Sequence, residues 1–383
     1  MAPDWKAIRA EFPALARWTY LNSATFGQVP RRAVDAVMRH FARRDELACY
    51  DFIEWYDDVD VIRADIAKLI RCRPEDIAFV TNAASALGLL VAGMEWRRGD
   101  RILTPPEEFP NQHYLPSLLQ ERGVELVEAP VERLADAIDE RTRVVALSEV
   151  NYSTGVRAPV ERIARAAREC GALSYIDGTQ STGALRFDAE RVQPDMFAVH
   201  GYKWLISPNG AGFMYVSQVL REKLAPAVVG WRSDRNWRNT ENLAHGRPQF
   251  KTEAEKYEGG SINFPSIYGM GESVRMILEI GPEVIERRVL GLAAKARALL
   301  AGAGGGVAAN DDSQIVTACF DGIDVRRLAA ELKNRGVLVA ARKGRLRVSP
   351  HFYNDEADLE KLVGAVRAIA DIPSSADRGA GSS

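Results

Sequence analysis

The residues with the clearest chemical potential lie in two short polar segments near the middle of the chain. Asp177-Gly-Thr-Gln180 follows the apolar run 172–176, and His200-Gly-Tyr-Lys203 follows the apolar run 196–199. Both runs are typical of buried strands, so these side chains are expected at strand ends, where open α/β sheets bind ligands. A lysine beside an acid at such an edge is suited to hold an aldehyde cofactor as a Schiff base, and pyridoxal 5′-phosphate (PLP) is the natural candidate.

Lys203 and Asp177 each have a chemical role and an ordinary structural alternative. A Schiff base requires a lysine that is partly neutral and therefore partly desolvated, and Tyr202 and Trp204 supply apolar neighbours. Taken alone, Lys203 could equally be a surface lysine in a loop. Asp177 would keep a pyridine nitrogen protonated, whereas its alternative is to cap the next turn, because Asp-Gly favours turns. Gln180 would hydrogen-bond the ring hydroxyl oxygen.

A second segment has the character of a phosphate site. Thr81-Asn-Ala-Ala84-Ser85 opens a predicted helix directly after a predicted strand, so free N–H groups at a positive helix end could receive a phosphate. The alternative is a plain N-cap. His200 and Tyr202 could add donors to the same group. The glycine run 302–306 follows a helical stretch rather than a strand, which favours a helix end over a dinucleotide motif.

Composition places the chain among ordinary soluble proteins. It has 383 residues, 46% hydrophobic and 27% charged, which suits a large domain and a smaller one. The net charge of −2 gives no reason to expect nucleic acid or an anionic membrane as a partner. Four scattered cysteines lack metal-type spacing, so no metal site is predicted. Reduced thiols, and the lack of a signal core or a membrane-length run, predict a cytoplasmic protein.

Strand and helix signals alternate between residues 77 and 216, which predicts a mostly parallel sheet covered on both faces, a three-layer α/β domain. The run 212–216 follows a short connection and could be antiparallel. The segment 225–265 has no clean period and is predicted to be either functional or disordered. From residue 266 onward, helices and short strands predict a small α+β domain.

These signals divide the chain into four parts. Residues 1–20 form an N-terminal segment that packs with the small domain, and residues 21–265 form the large cofactor-binding domain. Residues 266–373 form the small C-terminal domain. The last part, 374–383, is small and polar and is predicted to be a disordered tail.

With these residues placed, the chain resembles the class V aminotransferase family of the fold type I PLP enzymes. It is most similar to the branch that holds cysteine desulfurases, isopenicillin N epimerase and kynureninase. The resemblance runs from Tyr20-Leu-Asn-Ser-Ala24 to the segment Arg345-Leu-Arg347-Val-Ser-Pro-His-Phe-Tyr-Asn354. Its most specific element is Asp177-x-x-Gln180 with Lys203 placed 26 positions after the aspartate.

The resemblance implies a role for each matching residue. Lys203 forms the Schiff base and then moves the proton at the substrate Cα, while Asp177 pairs with the pyridine nitrogen. Arg347 grips the substrate α-carboxylate, a bidentate task suited to a guanidinium group, and Asn22 is a further substrate contact. The other implied cofactor contacts are Ala84, Ser85, Phe109, Tyr152, Gln180, His200 and Tyr202.

Two further segments bear on partners and specificity. Ser261 matches a position that family members extend across a dimer interface to the partner's phosphate, so the resemblance implies a homodimer. Trp231, with the arginines at 232, 235 and 238, could form a substrate-specificity loop for an acidic or aromatic group. The alternative is a solvated basic loop.

The reaction is less well defined than the cofactor. A cysteine desulfurase needs a nucleophilic cysteine shortly before the C-terminal arginine, and residues 336–345 contain none. Cys319 lies in the run 315–320, which is typical of a core strand. Phe109 stands where many desulfurases have histidine. Persulfide-forming desulfuration is therefore placed behind the other reactions.

Three outcomes remain for a small amino-acid substrate that loses its Cα proton. The family label favours transamination. The alternatives are β-elimination by a C–S lyase and epimerisation at Cα. A binding or regulatory protein without catalysis is placed last, because such a role does not require a buried lysine beside a buried acid.

Overall fold

The computed structural model describes residues 3–243, 246–310 and 312–370. The predicted tail therefore lies outside the described residues. The helices are α1 Trp5–Ala10, α2 Arg31–Leu47, α3 Phe52–Ile70, α4 Ala83–Gly93, α5 Asn111–Ser117, α6 Val160–Glu169, α7 Ala189–Val192, α8 Gln218–Lys223, α9 Phe264–Ile280, α10 Pro282–Ala301, α11 Val325–Asn334 and α12 Glu356–Ala370. The strands are β1 Thr19–Tyr20, β2 Ile77–Val80, β3 Arg101–Thr104, β4 Glu125–Glu128, β5 Thr142–Ser148, β6 Leu173–Asp177, β7 Met196–His200, β8 Gly212–Val216, β9 Gly306–Val307, β10 Val316–Cys319, β11 Val337–Leu338, β12 Ala340–Arg342 and β13 Arg345–Val348.

The central sheet has seven strands in the order β2-β8-β7-β6-β5-β3-β4. Neighbours from β4 to β7 run parallel, and β8 runs antiparallel to both β2 and β7. The predicted α/β fold with a mostly parallel sheet is confirmed, and so is the antiparallel strand at 212–216. Because β5, β6 and β7 are parallel, their carboxyl ends meet at one edge of the sheet, where Asp177 lies opposite Ser148 in the register.

Alternation along the strands separates the two faces of this sheet. Val145 and Leu147 of β5 belong to a core on one side, whereas Val144 and Ala146 belong to a core on the other side. Helix α6 covers the first face because its apolar positions recur at helical spacing, and helix α4 covers the second. The buried side chains of α6 are Val160, Ile163, Ala164 and Ala167, and those of α4 include Ala86, Leu87 and Leu90.

A second sheet lies towards the C-terminus and has four antiparallel strands in the order β12-β13-β10-β9. A separate apolar cluster joins it to α10, α11 and α12. The N-terminal segment packs here as well, since Thr19 of β1 pairs in parallel with Val337 of β11. Arg9 also donates to Asp358 at 2.7 Å and to the Tyr353 carbonyl at 2.9 Å.

Helix α9 connects the two parts of the chain. The prediction assigns it to the small domain, but its buried face packs on α2 and α3 of the large domain. Phe264 lies 5.4 Å from the ring of Trp55 and 4.9 Å from that of Tyr56. The apolar core of the large domain therefore continues through α9 and into the first half of α10, where Ile285 and Val289 belong to it.

Candidate active site

A cavity of about 310 Å³ opens at the carboxyl edge of β5, β6 and β7. It collects side chains from strands, helix α4 and the loop after β3. The lining residues are Asn82, Ala83, Ala84, Phe109, Asn111, Ser148, Tyr152, Asp177, Thr179, Gln180, His200, Tyr202 and Lys203. The sequence predicted eight of these positions, and together they define the candidate active site.

Lys203 lies in the loop after β7 and is only 7% exposed, which excludes the surface-lysine alternative. Its Nζ lies 5.4 Å from the ring centre of Phe109 and 5.3 Å from that of Tyr202. The N-terminal loop packs closely on this segment, because Gly27 N–H donates to the Tyr202 carbonyl at 2.9 Å. A Cβ at Gly27 would stand 1.8 Å from the Lys203 carbonyl oxygen, so a larger residue cannot fit there without moving the lysine loop.

The surroundings of Lys203 favour its neutral form. Burial lowers its pKa to about 8, and the positive charges of Arg347 and Arg342 act in the same direction. The carboxylate of Asp177 opposes them, because it favours the ammonium form. A lysine with a pKa near neutrality is a competent nucleophile and general base, as the predicted role requires.

Asp177 ends β6 and is 5% exposed. Its Oδ1 accepts a 2.8 Å hydrogen bond from Thr179 N–H, so it does cap the following turn. Burial raises its pKa, while the bonds from Thr179 and the charge of Lys203 oppose that shift. The capping and chemical roles are compatible, because a carboxylate has a second oxygen with which to meet a cationic ring nitrogen.

His200 and the start of α4 fit a phosphorylated ring. Burial and the charge of Lys203 lower the pKa of His200 to about 4, so it is neutral near pH 7. Its buried Nε2 has no hydrogen-bond partner among the described residues. The side chain of Asn82 caps Ser85 N–H at 2.9 Å, while Ala83 and Ala84 begin the helix and line the cavity. N–H groups at such a helix start suit a phosphate.

Ser85 and Ser261 lie outside this cavity. Both line a neighbouring one of about 540 Å³ on the other side of the α4 start. The Ser85 hydroxyl is engaged by Thr81 Oγ1 at 3.0 Å and by Asn82 Oδ1 at 3.2 Å. Ser85 is thus turned away from the predicted phosphate position in a single chain. Ser261 is exposed, which leaves the predicted contact with a partner subunit untested.

Gln180 lines the cavity, and both polar atoms of its side-chain amide are hydrogen-bonded. Its Oε1 accepts from Trp204 Nε1 at 2.9 Å, and its Nε2 donates to the Ala24 carbonyl at 3.0 Å. One hydrogen of the amide nitrogen remains for the predicted contact with a ring oxygen. These bonds fix the orientation of the side chain.

Phe109 and Tyr152 form one wall of the cavity and make an edge-to-face pair with ring centres 5.3 Å apart. The loop that carries Phe109 is anchored by Glu108, which is 7% exposed. Glu108 accepts from Ser148 N–H at 2.8 Å and from the Ser148 hydroxyl at 2.7 Å. The sequence analysis did not identify Glu108, although an acid next to the Phe-Pro dipeptide after a strand was visible.

Arg347 lies behind Tyr152 and is 1% exposed. Its Nη1 donates to the Tyr152 carbonyl at 2.5 Å, and its Nη2 donates to the Thr25 hydroxyl at 2.6 Å. Thr25 donates to Asn22 Oδ1 at 2.8 Å, so Asn22 supports the arginine through Thr25. Burial lowers the pKa of Arg347 to about 9, and its Nε has no partner in the described part of the chain. A buried guanidinium without a carboxylate favours an anionic ligand.

Trp231 does not line the cavity of this chain, so its predicted substrate contact stays a prediction. It packs 5.4 Å from Trp237 and 6.0 Å from Tyr56, on α3. Arg232 is 1% exposed and pairs with Glu258 at 2.8 Å, so this part of the segment is not a solvated basic loop. Cys319 also departs from its predicted core position, since its side chain is exposed at the end of β10.

Comparison with known proteins gives one consistent family. The Aminotransferase class-V profile matches residues 19–367. A probable cysteine desulfurase of Methanothermobacter thermautotrophicus is 25% identical, over 95% of this chain and 97% of its own length. Isopenicillin N epimerase of Streptomyces clavuligerus is 26% identical, over 96% of this chain and 98% of its own length.

Solved structures share the fold. A variant of C-DES with glycine covalently linked to its PLP cofactor superposes with a TM-score of 0.87 at 21% identity, covering 96% of this chain and 99% of the other. The apo cysteine desulfurase of Thermococcus onnurineus gives a TM-score of 0.85 at 20% identity, with the same two coverages, 96% and 99%. The fold is therefore that of the fold type I PLP enzymes, as predicted.

The chain belongs to the class V aminotransferase family, which confirms the predicted family. The predicted cofactor, PLP, is confirmed with it, and the orphaned His200 Nε2, the start of α4 and the buried Lys203–Asp177 pair fit that group. Among the described residues, no helix is both long and apolar enough to cross a membrane.

Proposed function

We propose that this chain is a PLP-dependent C–S lyase that removes a sulfur substituent from the β-carbon of an amino acid. The observation that carries the proposal is that a buried lysine lines the cavity while a buried arginine is bonded to the backbone of Tyr152, which lines the same cavity. Lys203 supplies a base with a pKa of about 8, and Arg347, behind Tyr152, supplies a grip for a carboxylate. The sulfur part is supported by relatives that are named cysteine desulfurases.

The residues divide the work in a simple way. Arg347 binds the α-carboxylate, which places the Cα–H bond of the substrate near Lys203. Neutral Lys203 removes that proton at Nζ. When bound, PLP supplies the electron sink that stabilises the charge left at Cα, and this permits a sulfur substituent on Cβ to depart with its electrons. Asp177 would favour loss of the Cα proton, because its carboxylate would keep the pyridine nitrogen of the cofactor positively charged.

The leaving sulfur is proposed to depart with its own substituent rather than to be passed to a cysteine of the enzyme. No cysteine lines the cavity. Within the described residues, the four thiols lie elsewhere: Cys319 ends β10 and contacts the Gly306 carbonyl at 3.3 Å, Cys170 follows α6, and Cys49 and Cys72 flank α3. Transamination, which the family label favoured, has no support from the relatives named above.

Epimerisation is the second candidate, because isopenicillin N epimerase matches nearly the whole chain. It uses the same first proton transfer but returns a proton to Cα instead of expelling a β-substituent. The choice between the two therefore depends on the substrate's side chain as well as on the protein.

Product analysis separates these reactions. The holoenzyme is incubated with L-cysteine and with S-substituted cysteines, without a keto-acid acceptor. The proposal predicts equal amounts of pyruvate, ammonia and the free thiol, and none of them with Lys203→Ala. An exposed lysine on α8 provides the matched control, Lys223→Ala, which should retain activity. Alanine as the main product, or only the inverted amino acid, would overturn the assignment.

We further propose that the protein works as a homodimer in which Ser261 reaches the partner's phosphate site. The exposed apolar side chains Val34, Met38 and Phe41 support this, since they form one stripe along α2. Sedimentation analysis should give a dimer. Ser261→Ala should weaken PLP affinity and leave the dimer intact. A monomer with full PLP affinity would refute the proposal.

A further inference from the structure

The turn that follows Lys203 contains a residue with a strained backbone. Ile206 has a φ of 52°, in the left-handed region, and its side chain is 0% exposed. A branched Cβ crowds the backbone in this region, so β-branched residues rarely adopt it. Of the six non-glycine residues with positive φ in the described parts of the chain, only Ile206 is β-branched. Strain of this kind persists only where the surrounding structure fixes it, and it is concentrated at functional sites.

Hydrogen bonds within the turn tie Ile206 to the lysine. The Ile206 N–H donates to the Lys203 carbonyl at 3.1 Å, and the Ser207 N–H donates to the Gly201 carbonyl at 3.0 Å. A change in the backbone dihedrals of Ile206 would break its bond to the Lys203 carbonyl and move the lysine. The conformation of Ile206 and the position of the Lys203 side chain are therefore coupled.

Neighbouring segments hold the start of the same turn from outside. The Trp204 carbonyl accepts a 2.8 Å hydrogen bond from His351 Nε2, because His351 Nδ1 is itself the acceptor for the Phe352 N–H. A Cβ at Gly183 would stand 2.2 Å from the same carbonyl oxygen, so the backbone of the loop after β6 packs directly against the turn. Together with the bond from Gly27, these contacts fix residues 202–204, and the end of the turn at Ile206 has a different partner.

The end of the turn is held by Ser273, a residue of helix α9 that is 0% exposed. Its hydroxyl donates to the Ile206 carbonyl at 2.9 Å and lies 3.3 Å from the Gly269 carbonyl of its own helix. A serine within a helix commonly bonds back to the carbonyl four residues earlier, but a hydroxyl has only one hydrogen to donate. The shorter contact indicates that this hydrogen goes chiefly to Ile206. Among the described residues, no other group donates to the Ile206 carbonyl.

We propose that Ser273 is a positioning residue for Lys203, because its hydrogen bond to the Ile206 carbonyl holds the strained turn and so keeps Lys203 Nζ at the cavity. Without this bond the buried Ile206 carbonyl loses its donor, and the turn can relax out of the left-handed conformation. The alternative is that the hydroxyl only satisfies a buried carbonyl, in which case its removal changes stability but not the reactivity of the lysine. The proposal concerns the lysine itself, so it applies to β-elimination and to epimerisation alike.

Glycine and alanine at position 206 test the strain. Both substitutions remove the buried Ile206 side chain, so the difference between them reports mainly the backbone conformation. In an ordinary conformation alanine is the more stable of the two, whereas at positive φ glycine is the more stable. Urea denaturation of the full-length protein should therefore give Ile206→Gly the higher midpoint, with an unfolding equilibrium constant about two- to fivefold smaller than that of Ile206→Ala. An alanine variant at least as stable as the glycine variant would show that the turn is not strained.

Covalent labelling tests the positioning role. The full-length apoprotein is mixed with saturating PLP and trapped with borohydride at intervals, and the fraction labelled at Lys203 gives the maximal rate. Ser273→Ala should lower this rate about tenfold or more, because a displaced amine loses its orientation towards the aldehyde. The non-covalent affinity for PLP, measured in a Lys203→Ala background, should stay within about twofold, since the phosphate end of the cavity is untouched. Ser266→Ala, on the first turn of the same helix, is the matched control and should change neither quantity.

Two results of the labelling experiment would overturn the proposal. One is a maximal rate in Ser273→Ala within about twofold of the native rate, which would leave the hydroxyl with no influence on the lysine. The other is an equal loss of labelling rate and of non-covalent PLP affinity, which would show that Ser273 supports the fold of the whole cavity and not the lysine turn.

Discussion

The guanidinium of Arg347 donates a 2.6 Å hydrogen bond to the hydroxyl of Thr25, a residue 322 positions earlier in the chain. The Thr25 hydroxyl in turn donates to Asn22 Oδ1, and Asn22 forms a parallel β-bridge with Ser349. The first loop of the large domain therefore orients the arginine of the small one. The proposed carboxylate grip depends on a residue that the sequence analysis did not identify.

Replacement of Thr25 by valine should weaken substrate binding. It removes an acceptor from a buried guanidinium, and a hydrogen bond to a charged group is worth about 1.5–3 kcal/mol. We expect KM for the substrate to rise about tenfold or more, with little change in kcat, because the base is untouched. Thr25→Ser keeps the hydroxyl and should restore KM. If the valine variant lowers kcat alone, Thr25 acts on the chemistry and not on Arg347.

The protonation of Lys203 can be followed in the apoprotein. Since its pKa is lowered to about 8, its rate of covalent reaction with added PLP should rise with pH and level off above that value. Asp177→Asn removes a charge that raises this pKa, so the profile should move to lower pH. Arg347→Gln removes a charge that lowers it, so the profile should move to higher pH. Reduction with borohydride and mass spectrometry measures the labelled fraction.

Shifts of the same sign in both variants would contradict this electrostatic account. A profile centred near the ordinary lysine value, at 10 or above, would show that Lys203 is solvated in solution.

Glu258 should be important for stability. Its side chain is 0% exposed and pairs with Arg63 at 2.7 Å and with Arg232 at 2.8 Å, and both arginines are buried as well. Removing the carboxylate leaves two buried guanidiniums with too few partners. Glu258→Ala should lower the free energy of unfolding by about 3–5 kcal/mol, measured by urea denaturation. Glu253→Ala, on the exposed side of the same segment, should cost less than about 0.5 kcal/mol. Equal losses of unfolding free energy in the two variants would refute the stabilising role of Glu258.

Acid should destabilise the fold through His351. This side chain is 0% exposed, with Nε2 bonded to the Trp204 carbonyl at 2.8 Å and Nδ1 accepting from Phe352 N–H. Burial lowers its pKa from 6.5 to about 4. Between pH 6.5 and pH 4 the unfolded chain therefore binds a proton at this histidine and the folded chain does not. The free energy of unfolding should fall by about 3 kcal/mol as the pH drops from about 6.5 towards 4. In urea titrations across that range, His351→Gln should flatten the slope; an unchanged slope would assign it to other groups.

Much of the architecture could be predicted because its signals are local. The apolar runs before Asp177 and Lys203 predicted β6 and β7, and parallel pairing brought their polar ends together. Helix α6, Val160–Glu169, lies within the alternating signals predicted for residues 77 to 216, and α11, Val325–Asn334, lies within the predicted α+β domain. Strand-end chemistry and helix periodicity were sufficient to locate most of the cavity.

The errors concern contacts between distant segments. The pattern of 225–265 is irregular because Arg232 and Glu258 are buried by pairing with each other and with α3, which leaves no apolar period. Cys319 is exposed where it pairs with Gly306 of β9, a residue that has no side chain to cover it. Ser85 turns away because Thr81 and Asn82 bind its hydroxyl. Such partners are fixed by tertiary geometry and leave no local signal.

The central claim is that the sulfur leaves without passing through a thiol of the enzyme. The most direct measurement uses a holoenzyme in which Cys49, Cys72, Cys170 and Cys319 are all replaced by alanine or serine. After circular dichroism has shown an unchanged fold, the rates of pyruvate and sulfide formation from L-cysteine are compared with the native protein. The account predicts that both rates are retained within about threefold, a difference of less than 1 kcal/mol. Loss of sulfide release in the folded variant, with restoration by any single cysteine, would contradict it.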